Sequence, residues 1–343
     1  MTPLKFGLIG AGAIAQTHVQ AFEHTELATL VGIADIRPEA AKALAESATC
    51  DHFNAYETMA EQCDLDAVII CTPPTTHPEI ALYFLNRGVH VLCEKPFSID
   101  VESAREMTAA AEQNGVLITM ASKFRYVEDT IKAKSIVQSG ILGDIVLFEN
   151  AFTGRVAMGN RWNADPAVSG GGVLIDNGTH SVDIMRYFLG PLAEVQVVEG
   201  KRIQGLPVED TVRIFVKSTQ GVMGNIDLSW SINKELDYFV RIYGADGTVS
   251  IGWKESKYRQ HSSRDWVVFG DGYSKVKAFT NQLNNVVRAI RQEEPLLITA
   301  ADAIASVEVI SAAYESLHQS HWTQIAHLSD RLQNQPSLIG AGA

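Results

Sequence analysis

Cysteine is scarce in this sequence: four among 343 residues, at Cys50, Cys63, Cys71 and Cys93, far apart and never as CxxC. That spacing supports neither zinc ligation nor a disulfide framework, and a reducing, cytoplasmic compartment is the expectation. Long apolar runs are missing too. No stretch approaches the roughly 18 residues that cross a bilayer, so no membrane span is expected. The run from Phe6 to Ala15 has the length of a signal-peptide core, but Lys5 is the only charge before it and small residues interrupt it. It reads as a strand and a turn. Positive charge is the third shortage. Lys and Arg total 28 against 40 Asp and Glu, a net charge of −12, which repels phosphate backbones and anionic lipids and disfavours nucleic-acid and membrane partners. No HExxH, carboxylate cluster or Cys/His set suggests a metal. No internal repeat is found.

What is there is a chain with 46% hydrophobic and 20% charged residues, ordinary in composition and too long for one small core, so two domains are expected. The first, 1–122, alternates apolar runs with helical spacing. Strands are expected at Lys5 to Gly10, Ala28 to Asp35, His52 to Ala55, Ala67 to Thr72, His90 to Glu94 and Leu117 to Ser122. Helices are expected at Ile14 to His24, Arg37 to Ser47, Tyr56 to Gln62, Thr76 to Asn86 and Val101 to Asn114. Continuous Val, Ile and Leu runs suit strands buried on both faces, so the fold class is α/β with a doubly wound parallel sheet. In the second domain, 123–343, the period changes. A helix near Val127 to Ser139 and a glycine cluster, Gly170 to Gly172, lead to a helix ending near Leu189. Period-two runs follow at Val212 to Val216 and Gly224 to Trp230, then Asp237 to Gly244 and Gly247 to Trp253 around a tight turn. Helices at about Ser274 to Gln292 and Thr299 to His318 close an α+β domain with a large, mostly antiparallel sheet. From about Leu328 a loose tail is expected.

Gly10-Ala11-Gly12-Ala13-Ile14-Ala15 follows a strand and opens a helix. In that context the glycines permit a tight turn and close approach of a pyrophosphate, with the anion at the helix N-terminus. The alternative is a glycine-rich turn with no ligand. Asp35, at the end of the second strand, suits the adenosine ribose and repels a 2′-phosphate, so NAD is expected over NADP. Arg37 pulls the other way, since its guanidinium could pair with that phosphate or stack beside adenine. Ligands in such sheets sit beyond the carboxyl ends of the strands. There stand Thr72-Pro73-Pro74 with His77, and Glu94-Lys95-Pro96. A lysine so placed would be partly desolvated and fit to move a proton or polarise a hydroxyl; a solvated loop lysine is the alternative. Asp176 and His180, at i and i+4, share a helix face, and a carboxylate beside an imidazole raises its basicity. A helix cap with a satisfied histidine is the plainer reading of that pair, and Asp183 either orients His180 or serves packing.

These motifs, in this order, resemble the glucose-fructose oxidoreductase, inositol dehydrogenase and rhizopine-catabolism (Gfo/Idh/MocA) family, from about Lys5 to Leu317. The resemblance implies an NAD(P)-dependent dehydrogenase acting on CH–OH groups, with Lys95, Asp176 and His180 as the catalytic set. His180 is then the acid/base, and Lys95 polarises or relays at the reacting hydroxyl. Gly10, Gly12, Ala13, Ile14, Asp35, Arg37, Thr72, Pro73, His77, Glu94 and Lys95 fall to the cofactor. Substrate contacts are expected from Lys123, Arg125, Arg161, Trp162 and Asn163 beside Lys95, Asp176 and His180. Trp162 would stack on a sugar or nicotinamide ring, with core packing as its alternative. A sugar ketoreductase subgroup carries tyrosine in place of the histidine, and this chain does not. The substrate implied is a sugar, cyclitol or nucleotide sugar, and the assembly a homodimer or homotetramer through the open sheet face. Competing functions are an NADPH-dependent reductase of the dihydrodiol dehydrogenase type and a nucleotide-sensing regulator without catalysis. A basic island at Lys254, Lys257, Arg259 and Arg264 reads as a solvated loop between strands, or as a site for an anionic substrate.

Overall fold

The computed structural model describes residues 2–325; the expected loose tail lies outside the described residues. The first domain runs β1 (Leu4–Ile9), α1 (Ala13–Phe22), β2 (Ala28–Ala34), α2 (Pro38–Ala48), β3 (Asp51–Phe53), α3 (Tyr56–Gln62), β4 (Ala67–Ile70), α4 (His77–Leu85), β5 (His90–Glu94), α5 (Val101–Gln113) and β6 (Ile118–Ala121). All strands are parallel, in the order β3-β2-β1-β4-β5-β6. Every residue of β4 and β6 is buried, which is why these segments read as unbroken apolar runs and not as alternation. The order reverses between β1 and β4. Turns leaving the two strands diverge there and open the crevice in which such sheets bind ligands.

The second domain continues with α6 (Glu128–Gln138), β7 (Ile145–Thr153), α7 (Pro166–Ser169), α8 (Val173–Leu189), β8 (Leu192–Glu199), β9 (Thr211–Ser218), β10 (Met223–Ser229), β11 (Tyr238–Gly244), β12 (Gly247–Gly252), β13 (Ser256–Gln260), β14 (Val267–Gly270), α9 (Lys275–Ile290), α10 (Ala300–Gln319) and β15 (Thr323–Gln324). Its nine-stranded sheet has the order β14-β13-β12-β11-β7-β10-β9-β8-β15. β7 and β10 pair in parallel and the other neighbours are antiparallel. In β9, Val212, Ile214 and Val216 point into the core while Arg213, Phe215 and Lys217 stay exposed, so one face is packed and the other open. β7 was not expected, because Glu149 and Asn150 interrupt its apolar pattern. Part of the basic island, taken for a loop, is instead β13, where Lys257 pairs with Glu255 at 3.1 Å and the Arg259 guanidinium lies 5.1 Å from the Trp266 ring centroid.

Packing does not follow the division at residue 122. Phe279, Leu283, Val286 and Val287 of α9 join the core of Phe6, Leu8 and Ile69. Helix α10 is shared: Ala303, Ile304 and Val307 face the first domain's core, Val309, Ile310 and Ala313 the second's. Two helices late in the chain thus finish the nucleotide-type domain, and one of them ties it to the sheet domain.

Candidate active site

The crevice begins at the turn after β1. Gly10 has φ +93, and a Cβ there would lie 2.7 Å from the Cys71 carbonyl oxygen; only glycine lets the turns after β1 and β4 approach this closely. Gly12, the N-cap of α1, has no side-chain cap and open space where its Cβ would be. Unsatisfied N–H groups at an unobstructed helix N-terminus are what a pyrophosphate needs, so these residues fit a dinucleotide. Ala13 and Ile14 start the helix behind them. Asp35 closes this end, accepting from the Ala11 N–H at 2.7 Å and from the Arg37 backbone N–H at 2.8 Å. The Arg37 guanidinium also donates to it, at 3.0 and 3.1 Å. Burial opposes the Asp35 charge, but these donors outweigh it and hold the carboxyl below its ordinary pKa. Arg37 is therefore engaged by Asp35 itself.

At the other end, Lys95 follows β5. Its Nζ donates to the Asp176 carbonyl at 3.0 Å and makes a close ion pair with the Asp176 carboxylate. Lys95 belongs to the first domain and Asp176 to α8, so the pair closes the junction of the two. One turn along α8, His180 is buried, its Nδ1 3.3 Å from the Ser122 hydroxyl, with the Phe124 ring edge-on at 5.1 Å and Phe152 at 6.4 Å. Burial first, then the charges of Lys123 and Lys95, push its pKa well below the ordinary histidine value. The imidazole is therefore neutral at physiological pH and, with Nδ1–H donating to Ser122, keeps an Nε2 lone pair free to accept a proton. A hydroxyl held here would meet a fixed ammonium and a neutral base together.

The glycine cluster places α8. A Cβ on Gly171 would lie 1.8 Å from the Tyr314 hydroxyl, and one on Gly172 would lie 2.1 Å from the Glu209 carbonyl oxygen. Glu209 can come this close, and its carboxylate accepts from the N–H groups of Gly172 at 2.9 Å and Leu174 at 3.1 Å and from Tyr314 at 2.9 Å. A residue distant in sequence thus caps the helix that carries Asp176 and His180.

A family model described as oxidoreductase family, NAD-binding Rossmann fold matches residues 4–122, and one for the Gfo/Idh/MocA C-terminal domain matches 130–250. The chain belongs to the Gfo/Idh/MocA oxidoreductase family. It is thus an oxidoreductase with an NAD-binding Rossmann domain, of a family that acts on CH–OH groups with NAD(P). It is 28% identical to the rhizopine catabolism protein MocA of Rhizobium meliloti, over 92% of this chain and 96% of that protein. To inositol 2-dehydrogenase of Rhizobium meliloti (strain 1021) it is 24% identical, over 94% and 99%. A solved levoglucosan dehydrogenase in complex with NADH shares the fold at a TM-score of 0.88 and 21% identity, covering 95% of this chain and 100% of that one.

Several side chains of this Gfo/Idh/MocA chain do not stand where their sequence positions suggested. His77 is fully buried, with Nδ1 2.9 Å from the Pro96 carbonyl and Nε2 2.9 Å from the Thr72 carbonyl. It braces the loops after β4 and β5 from the interior. The Glu94 carboxylate is also turned inward, 3.0 Å from His18 Nε2, with its other oxygen accepting from the Lys95 N–H at 3.1 Å. Arg125, expected at the substrate, points into the interior instead. It is buried, 2.7 Å from Asp183 and 3.4 Å from Asp302, and Asp183 also interacts with the Ser122 hydroxyl that lies 3.3 Å from His180 Nδ1. Thr72 accepts from the Thr76 hydroxyl at 2.7 Å, and Pro73 N-caps the short turn that follows. Trp162 is 44% exposed, which removes core packing as its role. It lies with Arg161 and Asn163 just before α7, which packs on the turn Pro74–Thr76 at the crevice.

Sequence reasoning missed four features. Ser122 directly follows β6 on the same edge as Lys95 and was open to the same strand-end rule. His18, Glu209 with Tyr314, and an aromatic wall of Phe124, Phe152, Trp253 and Tyr273 meet the site only through tertiary contacts; Trp253 lies 6.2 Å from Phe152 and 5.7 Å from Tyr273.

Proposed function

We propose that this chain oxidises, reversibly and with NAD, a secondary hydroxyl of a sugar, cyclitol or nucleotide sugar, with Lys95, Asp176 and His180 as its catalytic residues. The observation that carries this reading is the Lys95–Asp176 pair across the domain junction, one helical turn from a buried neutral imidazole. Bound NAD supplies the acceptor for the hydride that leaves carbon. His180 takes the hydroxyl proton on Nε2. Lys95 holds the hydroxyl oxygen and stabilises charge developing on it, and Asp176 fixes the Lys95 ammonium in place. Gly10, Gly12, Ala13 and Ile14 serve the pyrophosphate. Asp35 serves the ribose, and its carboxylate, with Arg37 already bound to it, favours NAD over NADP. The aromatic wall and the segment with Arg161, Trp162 and Asn163 enclose the substrate. The open face of the nine-stranded sheet joins subunits in a homodimer or homotetramer.

The test is nicotinamide absorbance with NAD or NADP and a panel of sugars, inositols, sugar acids and UDP-sugars, with wild type beside Lys95→Ala and His180→Ala. Turnover with NAD that falls by roughly 10²–10⁴ in His180→Ala is expected. Wild type that binds NADH and oxidises no polyol would leave the regulator as the better reading, and preference for NADP would favour the reductase.

A further inference from the structure

Charge around the reacting position is not paired off. Asp176 is matched by Lys95, and both oxygens of Glu94 are taken, by His18 and by the Lys95 N–H. Lys123 has no such partner. Among the described residues it makes no hydrogen bond or ion pair, and its Nζ stands 5.3 Å from the Phe124 ring centroid and 5.8 Å from that of Phe279. It is framed by residues that touch the imidazole: the Ser122 hydroxyl is 3.3 Å from His180 Nδ1, and the Phe124 ring is edge-on to it. The charge of Lys123, like that of Lys95, acts on His180. Lys275, exposed, adds a further positive charge nearby, its Nζ 6.0 Å from the Phe279 ring centroid.

A chain with a net charge of −12 has thus set beside aromatic rings an ammonium that feels Glu94 and Asp176 only through space, each of those carboxylates being bonded to other groups. Desolvation above all, and then Lys95, pull the Lys123 pKa down to about 8 against the opposing charges of Glu94 and Asp176. An arriving anion would relieve that cost, because it offers the ammonium a charge-assisted hydrogen bond.

We propose that Lys123 is a specificity-determining residue that receives an oxyanion carried by the substrate, so that the preferred substrate is a polyol bearing a carboxylate or phosphate. This rests on the dehydrogenase reading above and narrows its substrate class.

The experiment measures kcat and KM with NAD for D-glucose and myo-inositol against D-gluconate, D-glucuronate and D-glucose 6-phosphate, in wild type, Lys123→Met and Lys123→Arg. NADH affinity is followed in each by fluorescence titration. Wild type should favour an anionic probe, and Lys123→Met should lower kcat/KM for that probe roughly 10- to 100-fold more than for the neutral ones, mainly through KM. Lys123→Arg should recover much of the loss, and NADH affinity should hold. The responding probe then tells carboxylate from phosphate. Equal or better use of neutral polyols by wild type would overturn the proposal while leaving the dehydrogenase intact. So would a Lys123→Met variant that loses NADH affinity, since the lysine would then serve the cofactor's phosphates. If no probe is turned over, calorimetric binding of the anions to the enzyme–NADH complex decides. Binding that needs Lys123 supports the anion site even as the catalytic reading fails, and no binding rejects it.

Discussion

His180 is the base of the proposed reaction, and its burial bears on how that reaction depends on pH. Burial and the neighbouring Lys123 and Lys95 lower its pKa, so the neutral, proton-accepting form survives as pH falls through about 6.5, where a free histidine would charge. For polyol oxidation at saturating NAD, the acidic limb set by His180 is expected below pH 6.5; a limb at or above that value, absent in His180→Gln, would contradict this. The same shift has a stability consequence. A histidine whose folded pKa is depressed contributes stability that is present above the unfolded value and lost as pH falls toward the folded one, because the unfolded chain binds the proton first. His77, buried between two carbonyls, acts in the same direction. Asp183 shows a contrary balance: burial raises its pKa despite the adjacent Arg125 and the Ser122 hydroxyl.

At the scale of elements, helix α8 is the carrier of the site, and its N-terminus is built by a remote carboxylate. Glu209 satisfies two N–H groups of the first turn and the Tyr314 hydroxyl together. Glu209→Ala should therefore cost about 1–3 kcal/mol for each buried donor left without a partner. Gly172→Ala should cost more than the roughly 1–3 kcal/mol usual for overpacking, because the new Cβ meets backbone at 2.1 Å. Both are measured by denaturant unfolding. Activity should fall with stability, since displacement of α8 carries Asp176 and His180 away from Lys95. Wild-type stability in both variants would mean that the glycines and Glu209 have no such role. The strands tell a simpler story: β5 and α3 have the bounds their patterns gave, while β7 was hidden by its polar residues and is fixed by pairing with β10 and β11 on either side.

For the whole molecule, the open face of the nine-stranded sheet is the feature that asks for a partner. Phe215, Met223 and Val198 are exposed beside Arg213 and Asp227, which pair at 2.5 Å. Adjacent apolar groups and paired charges on a broad flat sheet suit a self-complementary interface. Light scattering should find a dimer or tetramer at micromolar concentration, and Phe215→Arg should shift it to a smaller species. A wild-type monomer at that concentration would refute the assembly. Among the described residues no helix is long and apolar enough to cross a membrane.

By itself the sequence determined the parallel sheet, the phosphate-binding turn and the nearness of Lys95 to the crevice. Each is a local property: residue period, glycine at a turn, position at a strand end. Only the tertiary structure decided which polar side chains face the cleft. His77, Glu94 and Arg125 follow the same strand ends as Thr72, Lys95 and Lys123, yet their side chains turn inward, because each finds in the interior a partner contributed by a distant segment: Pro96 for His77, His18 for Glu94, and Asp183 with Asp302 for Arg125. Lys123 finds none. A partner across the fold leaves no trace in local spacing, and burial of a polar group without one is costly.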